Sequence, residues 1–235
     1  MTDRSEADYL RSYDIKRYDT PLASVDNVIF AIRESWLSVL LVKRADFPYK
    51  GHWSIPGGFI DLKGDASLED CALRTLRAKT GIDSPYLEQW GTVGNATRDP
   101  RGWSMTCVYF ALIPWVEPIQ PKAGSEQIAW VPVDSLPEGM AFDHADLIQL
   151  ALTRLRAKAT YSILPVHLLH NPFTLPEFQR ANEIVLGRPL EKKSFRRRLL
   201  AADVLEEVGE RREGMGRPAA LYQIKAGCEG FVFGG

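Results

Sequence analysis

The stretch from Ser54 to Ile82 restricts the fold more than any other part of this chain. Ser54-Ile55-Pro56-Gly57-Gly58-Phe59-Ile60-Asp61 places a glycine pair where the backbone must turn tightly. Ser67 then opens a run in which Leu68, Cys71, Ala72 and Leu76 recur at helical spacing until Gly81 stops it. The neighbouring segments read as strands. Val25 to Ile32 and Trp36 to Lys43, separated by Arg33-Glu34-Ser35, predict a hairpin. Leu87 to Gly94, Trp103 to Pro114 and Ile128 to Pro132 are further strand candidates. A second helix is predicted from Asp143 to Ala159, with Leu147, Ile148, Ala151, Leu152 and Leu155 on one side. Strands mixed with two helices point to an α+β sandwich rather than a doubly wound parallel sheet. This unit is expected to span residues 23–160, after a polar, loosely held arm over residues 1–22.

Residues 161–235 have a different character. Thr174 and Glu177 form a capping-box pair with Pro176 in the first turn, and Leu175, Phe178, Ala181 and Val185 continue at helical spacing to Gly187. After Arg188-Pro189 a second helix is predicted over Lys192 to Ala202, burying Phe195, Leu199 and Ala202. Two short helices joined by a Gly/Pro turn make a helix-turn-helix. Val204 to Val208 and Ala219 to Ile224, around the tip Gly214-Met215-Gly216-Arg217-Pro218, supply the strands of a wing.

Net charge is −1, so the chain as a whole is not a polycation, yet Lys192, Lys193, Arg196, Arg197 and Arg198 crowd into seven positions. Lys193 and Arg197, like Lys192 and Arg196, lie one helical turn apart, which forms two basic rows on the open side, with Arg197 about 200° around the axis from Phe195. Such a face suits phosphates and guanine edges in the major groove. The candidate DNA contacts are Lys192, Lys193, Ser194, Arg196, Arg197 and Arg198, with Arg217 at the wing tip; the alternative for Arg198 is an anchor to Glu191 or to the first domain. Duplex DNA is a better match than RNA, and the helix-turn-helix implies a homodimer on two half-sites.

The 45% hydrophobic and 25% charged composition is that of an ordinary globular protein. No apolar run approaches membrane-spanning length. Cys71, Cys107 and Cys228 include no C-x-x-C pair, so a cytoplasmic protein without a structural metal is expected.

The segment from Ser54 through Arg74 to Gly81-Ile82 resembles the signature of the Nudix hydrolases. In that family, helix glutamates hold a divalent metal against a pyrophosphate. Aligned on Arg74, Leu76, Gly81 and Ile82, the three helix glutamates fall on Thr75, Ala78 and Lys79. These positions share one helix face, which carries a hydroxyl, a methyl and an ammonium. The loop before the helix is two residues longer than the signature, and its glutamate falls on Gly64 or Ala66. Asp65 and Glu69 cannot rebuild a multi-carboxylate site, so neither a catalytic residue nor a metal ligand is expected.

The resemblance narrows further. Gly94-Asn95-Ala96-Thr97-Arg98-Asp99-Pro100-Arg101-Gly102-Trp103, Ala141-Phe142-Asp143-His144, Phe173 to Glu177, Lys193 to Arg198 and Gly216 to Ala219 are similar to segments of the Nudix-related transcriptional regulators of NAD metabolism, the NrtR family. That likeness implies a Nudix-fold α/β/α sandwich fused to a winged helix-turn-helix. It also implies a repressor of NAD-metabolism genes, without a cofactor, that binds duplex DNA and releases it on sensing ADP-ribose or a related nucleotide. An active Nudix ADP-ribose pyrophosphatase with an accessory domain is the alternative, and Lys79 argues against it. Arg98 and Arg101 are suited to bidentate diphosphate contacts, Asn95 and the backbone of Gly57 and Gly58 to neutral donation, and Arg44 is a third cationic candidate. Trp53, Phe59, Trp103, Phe142 and His144 could orient a base or ribose, but each singly reads as core.

Overall fold

The computed structural model describes residues 5–80, 86–117, 127–212 and 218–234. Strand β1 (Leu22–Arg33) is the axis of a seven-stranded sheet. It pairs antiparallel with β2 (Trp36–Lys43) and β4 (Gly57–Phe59), and parallel with β6 (Ser104–Leu112). The short β3 (Trp53–Ser54) and β7 (Ile128–Pro132) extend the sheet beside β2, and β5 (Tyr86–Asn95) closes it beside β6.

Alternation along β1 explains the layers. Val28 and Phe30 point into a core with Val39, Leu41, Phe110 and the apolar stripe of helix α3 (His144–Tyr161). Ile29 and Ala31 point the other way, toward Leu40, Ala111 and Leu76 of helix α2 (Leu68–Thr80). A strand buried on both faces reads as a continuous apolar run, which is why Val28 to Ile32 lacks a polar alternation. The result is the α/β/α sandwich the sequence implies.

Helices α4 (Leu175–Leu186) and α5 (Lys192–Ala202) follow, with a small sheet ordered β8 (Phe173–Thr174), β10 (Ala219–Ile224), β9 (Leu205–Arg212). The Thr174–Glu177 capping box is formed, and Gly187 ends α4 at φ 67°, a left-handed conformation that favours glycine. Phe178 sits between Phe173 and Phe195, both at 5.6 Å ring separation, and anchors a second core with Leu199 and Val204. Strand β9 runs four residues past the expected Val208. Its pairing with β10 shifts register across this stretch, where Gly209 takes φ 76°. Strand β8 was not expected, because Thr174 also serves as the helix cap.

The two parts share packing: Leu164, Leu168 and Val185 join the first core, and Arg156 Nε donates to Val185 O at 3.1 Å. The arm holds a short helix, α1 (Glu6–Ser12), and a 3₁₀ turn (Ile15–Arg17), neither with a buried residue. Among the described residues no helix is long and apolar enough to cross a membrane.

Candidate functional site

A cleft opens where β1 meets the Gly57-Gly58 pair, which forms strand β4 rather than the expected tight turn, the loop after β5 and the N-terminus of α3. It gathers five of the six residues expected to face a ligand, Arg44, Gly57, Gly58, Arg98 and Arg101, and adds Asp26, Ser104, Phe142 and His144. The glycines are there for close approach. A Cβ on Gly57 would overlap the Asp26 carboxylate and reach 2.8 Å from Val25 O, and one on Gly58 would sit 2.9 Å from Thr75 Cγ2.

The two loop arginines differ. Arg98 is only 8% exposed, and its Nε and Nη2 donate to Asp143 at 3.0 and 2.9 Å, with Asp26 a further 3.5 Å from Nη2. It ties the start of α3 to the sheet instead of standing open on a loop. Arg101 donates to Asp99 at 3.0 and 2.7 Å and lies 5.0 Å from the Phe59 ring, but its side chain remains 42% exposed. Asn95 does not line the cleft. Its Oδ1 accepts from the backbone N–H of Thr97 and Arg98, both at 2.8 Å, so it shapes the turn that presents the arginines. Arg44 donates through Nε to Pro48 O at 2.8 Å, and its guanidinium lies 4.9 Å from the Phe142 ring.

His144 is buried. The Ile55 N–H donates to its Nδ1 at 3.2 Å, which leaves the proton on Nε2, facing Asp26 Oδ1 at 3.8 Å. Burial holds its pKa below the ordinary value of 6.5, against the opposing pull of the nearby carboxylates, so the ring is neutral near pH 7. Asp26, Ser104 and Asp143 were missed from sequence. Asp26 left one signal: a carboxylate next to Asn27, directly before the apolar run Val28 to Ile32. Two core readings need correction, because Phe59 is 45% and Trp103 51% exposed. Phe59 is flanked at alternate positions by Gly57 and Asp61, so it belongs to no buried stripe.

Helix α2 turns Thr75 inward, 4% exposed, where it donates to Cys71 O at 2.8 Å and accepts from Asn27 Nδ2 at 3.0 Å. Ala78 is exposed. Lys79 lies in the helix, its side chain outside the described residues. Arg74 braces the preceding loop, donating to both Asp65 oxygens at 2.6 Å and to Phe59 O at 3.0 Å. That guanidinium holds the Asp65 carboxyl well below the usual carboxylate range, while burial, aided by Asp65, pushes the Cys71 thiol up to about 11. Among the described residues no three His, Cys, Asp or Glu side chains are grouped to hold a metal ion. Neither Thr75 nor Ala78 offers a carboxylate to a divalent cation.

The second candidate surface is α5. Glu191 caps it, accepting from Lys193 N at 2.9 Å and Ser194 N at 2.6 Å. Phe195 and Leu199 face the core. Lys192, Lys193, Ser194 and Arg197 are exposed, and Arg196 is half-buried. Arg198 follows the anchoring alternative: Nη1 donates to Thr160 O of the first unit at 3.2 Å, and the guanidinium lies 4.1 Å from the Phe233 ring. Arg217 lies outside the described residues.

A sandwich with an arginine-lined cleft, joined to a winged helix whose second helix is basic, defines a ligand domain coupled to a DNA-reading module. Family models agree: a NUDIX domain matches residues 21–151 and an NrtR DNA-binding winged helix domain residues 165–224. The "ADPR responsive transcriptional repressor NtrR" of Acinetobacter baylyi is 47% identical over 221 residues, covering 94% of this chain and 88% of its own. Crystal structures of Shewanella oneidensis NrtR, alone and complexed with a 27mer DNA, match at TM-score 0.81. Their identities are 44% and 42%, over 90% of this chain and 98% and 97% of theirs. The NUDIX domain of the same Shewanella protein complexed with ADP ribose matches at TM-score 0.60 and 44% identity, over 64% of this chain and 99% of that domain. The chain belongs to the NrtR family of Nudix-domain transcriptional repressors.

Proposed function

We propose that this protein is a cytoplasmic homodimeric repressor of NAD-metabolism genes that binds a duplex operator through α5 and the wing and releases it when ADP-ribose enters the cleft. One observation carries the reading. The helix face that would hold metal is closed by a neutral Thr75–Asn27 hydrogen bond, while the cleft beside it keeps an exposed guanidinium, Arg101. A site so arranged binds a diphosphate without activating water against it.

Arg101 and Arg44 meet the diphosphate, the Gly57-Gly58 strand lets it approach the backbone, and Arg98 sets the frame by holding Asp143. The three cleft arginines are balanced by Asp26, Asp99 and Asp143, so no general anion trap is created. Lys193, Arg196 and Arg197 supply the DNA-facing charge. No cofactor is required.

The test is fluorescence anisotropy of a labelled operator duplex, titrated with ADP-ribose, beside an assay of ADP-ribose with Mg²⁺ or Mn²⁺. Release of DNA with intact nucleotide over hours is the expected result. Coupling of the size usual in allosteric proteins would loosen the operator by about 1–3 kcal/mol. Turnover near 1 per second, within the ordinary enzymatic range, would replace this reading with the pyrophosphatase.

A further inference from the structure

We infer that Arg198 is a positioning residue for the response to ligand: it latches the DNA-reading helix α5 to the C-terminal end of α3, whose N-terminal end is held inside the nucleotide cleft. The inference rests on the repressor reading above and adds the route by which the two sites communicate.

Helix α3 has 18 residues and is about 27 Å long, so it crosses the ligand domain as one rigid rod. At its start, Asp143 is gripped by Arg98 and His144 lies in the cleft wall. A diphosphate met by Arg101 and Arg44 comes to rest beside this Arg98–Asp143 pair, in the same cleft wall.

At the far end, the last carbonyls of α3 have no partner inside the helix and need donors from elsewhere. Arg198 supplies one to Thr160 O, and the Phe233 N–H supplies another to Tyr161 O at 2.8 Å. A cation at a helix C-terminus is electrostatically favoured, and the guanidinium also rests on the Phe233 ring. The tail is itself seated on this corner, with Ser162 bridged to Val232 and Ile163 N donating to Phe231 O at 3.2 Å.

The two helices of the helix-turn-helix are attached to α3 differently. Helix α4 is fixed by shared core, with Val185 buried among the α3 side chains. Helix α5 reaches α3 through the polar Arg198 contact, which can be remade at little cost. Arg197 precedes Arg198 by one residue, 100° around the axis, so a ligand-driven shift of the α3 end, passed on through Arg198, turns Arg197 away from DNA.

The experiment uses the full chain as wild type, Arg198→Ala, Arg198→Lys and Phe233→Ala. Operator affinity is measured by anisotropy over a salt series, with and without saturating ADP-ribose, and ADP-ribose affinity by calorimetry. For Arg198→Ala, operator affinity without ligand should stay within about twofold of wild type, as suits an exposed contact, and the salt slope should not change. Its ADP-ribose affinity should be unchanged, but the factor by which ADP-ribose loosens the operator should fall toward no effect. Arg198→Lys should keep part of that factor, since an ammonium can donate to Thr160 O but cannot stack flat. Phe233→Ala, which leaves Arg198 in place, should lose part of it, and it carries the test if Arg198→Ala does not fold.

A full wild-type response in both alanine variants would overturn the latch. A salt slope lowered by about 1 with the response intact would also overturn it, and return Arg198 to the DNA contacts. A wild type whose operator binding ignores ADP-ribose would overturn the ligand reading itself, and the latch with it.

Discussion

The loop from Asn95 to Gly102 and helix α5 both concentrate arginines, and the fold treats them in opposite ways. Each loop arginine has a carboxylate of its own: Arg98 takes Asp143 with Asp26 behind it, and Arg101 takes Asp99. On α5, Lys192, Lys193, Arg196 and Arg197 form no salt bridge among the described residues, and the nearby Glu191 is engaged with backbone N–H groups. The difference follows the size of the anion each region meets. A nucleotide diphosphate brings little charge into a confined cleft, where unpaired guanidiniums would repel one another and accept any anion. Duplex DNA carries a negative charge about every 1.7 Å of axis, and an open, uncompensated row gains from releasing its counterions.

The largest test of this contrast is stability. Arg98→Ala leaves Asp143 and the buried Asp26 without their cation, and breaking a buried pair this way costs about 3–5 kcal/mol. Arg101→Ala exposes Asp99 to water it already partly meets, and should cost less than about 1 kcal/mol while weakening ADP-ribose binding. Urea unfolding of both variants decides it. Equal losses would show that the two arginines are not divided into frame and contact.

The next effect is on DNA. Arg197→Ala should cost about 1–3 kcal/mol of operator affinity if it reads a base edge, with no loss of fold stability. Lys193→Ala should lower the salt slope by about 1 and weaken all sequences alike. Operator titrations at several salt concentrations separate the two. Unchanged slopes in both would mean that the α5 charge is merely solvated.

What could be read from sequence was set by the reach of each interaction. Helix α5 was found at both ends, and α4 within a residue, because caps, glycine stops and i, i+4 spacing lie inside one segment. The two basic rows of α5 were legible for the same reason. Arg98 was found as a cleft residue, but its role was not, since its partner Asp143 lies 45 residues away. An anchor to the first domain was open for Arg198, but its partner Thr160, 38 residues away, was not legible. Asn95 was read as a donor to ligand because the turn that consumes its side chain oxygen is visible only in backbone geometry.

The smallest effect tests whether the cleft is held near neutrality. His144 is enclosed by Asp26, Asp143, Arg98 and Arg44, and burial outweighs the two carboxylates in depressing its pKa. His167 is depressed by burial as well. In the unfolded chain both rings titrate near 6.5. Below that pH the unfolded state therefore binds protons that the folded state refuses, and stability falls as pH drops from about 7 toward 5. Each histidine contributes at most about 1.4 kcal/mol per pH unit, and less near its midpoint. Asp65, Asp99 and Glu88 have lowered pKa values, so the stability they add is present above about pH 4 and is lost only as pH falls further, outside this window. His144→Gln keeps an acceptor for the Ile55 N–H and removes the titration. Its unfolding free energy should decline less steeply between pH 7 and 5 than that of wild type, with the remaining slope carried by His167. An unchanged slope would mean that His144 takes up its proton in the folded cleft, adding a positive charge beside Arg98 and breaking the balance that separates this site from α5.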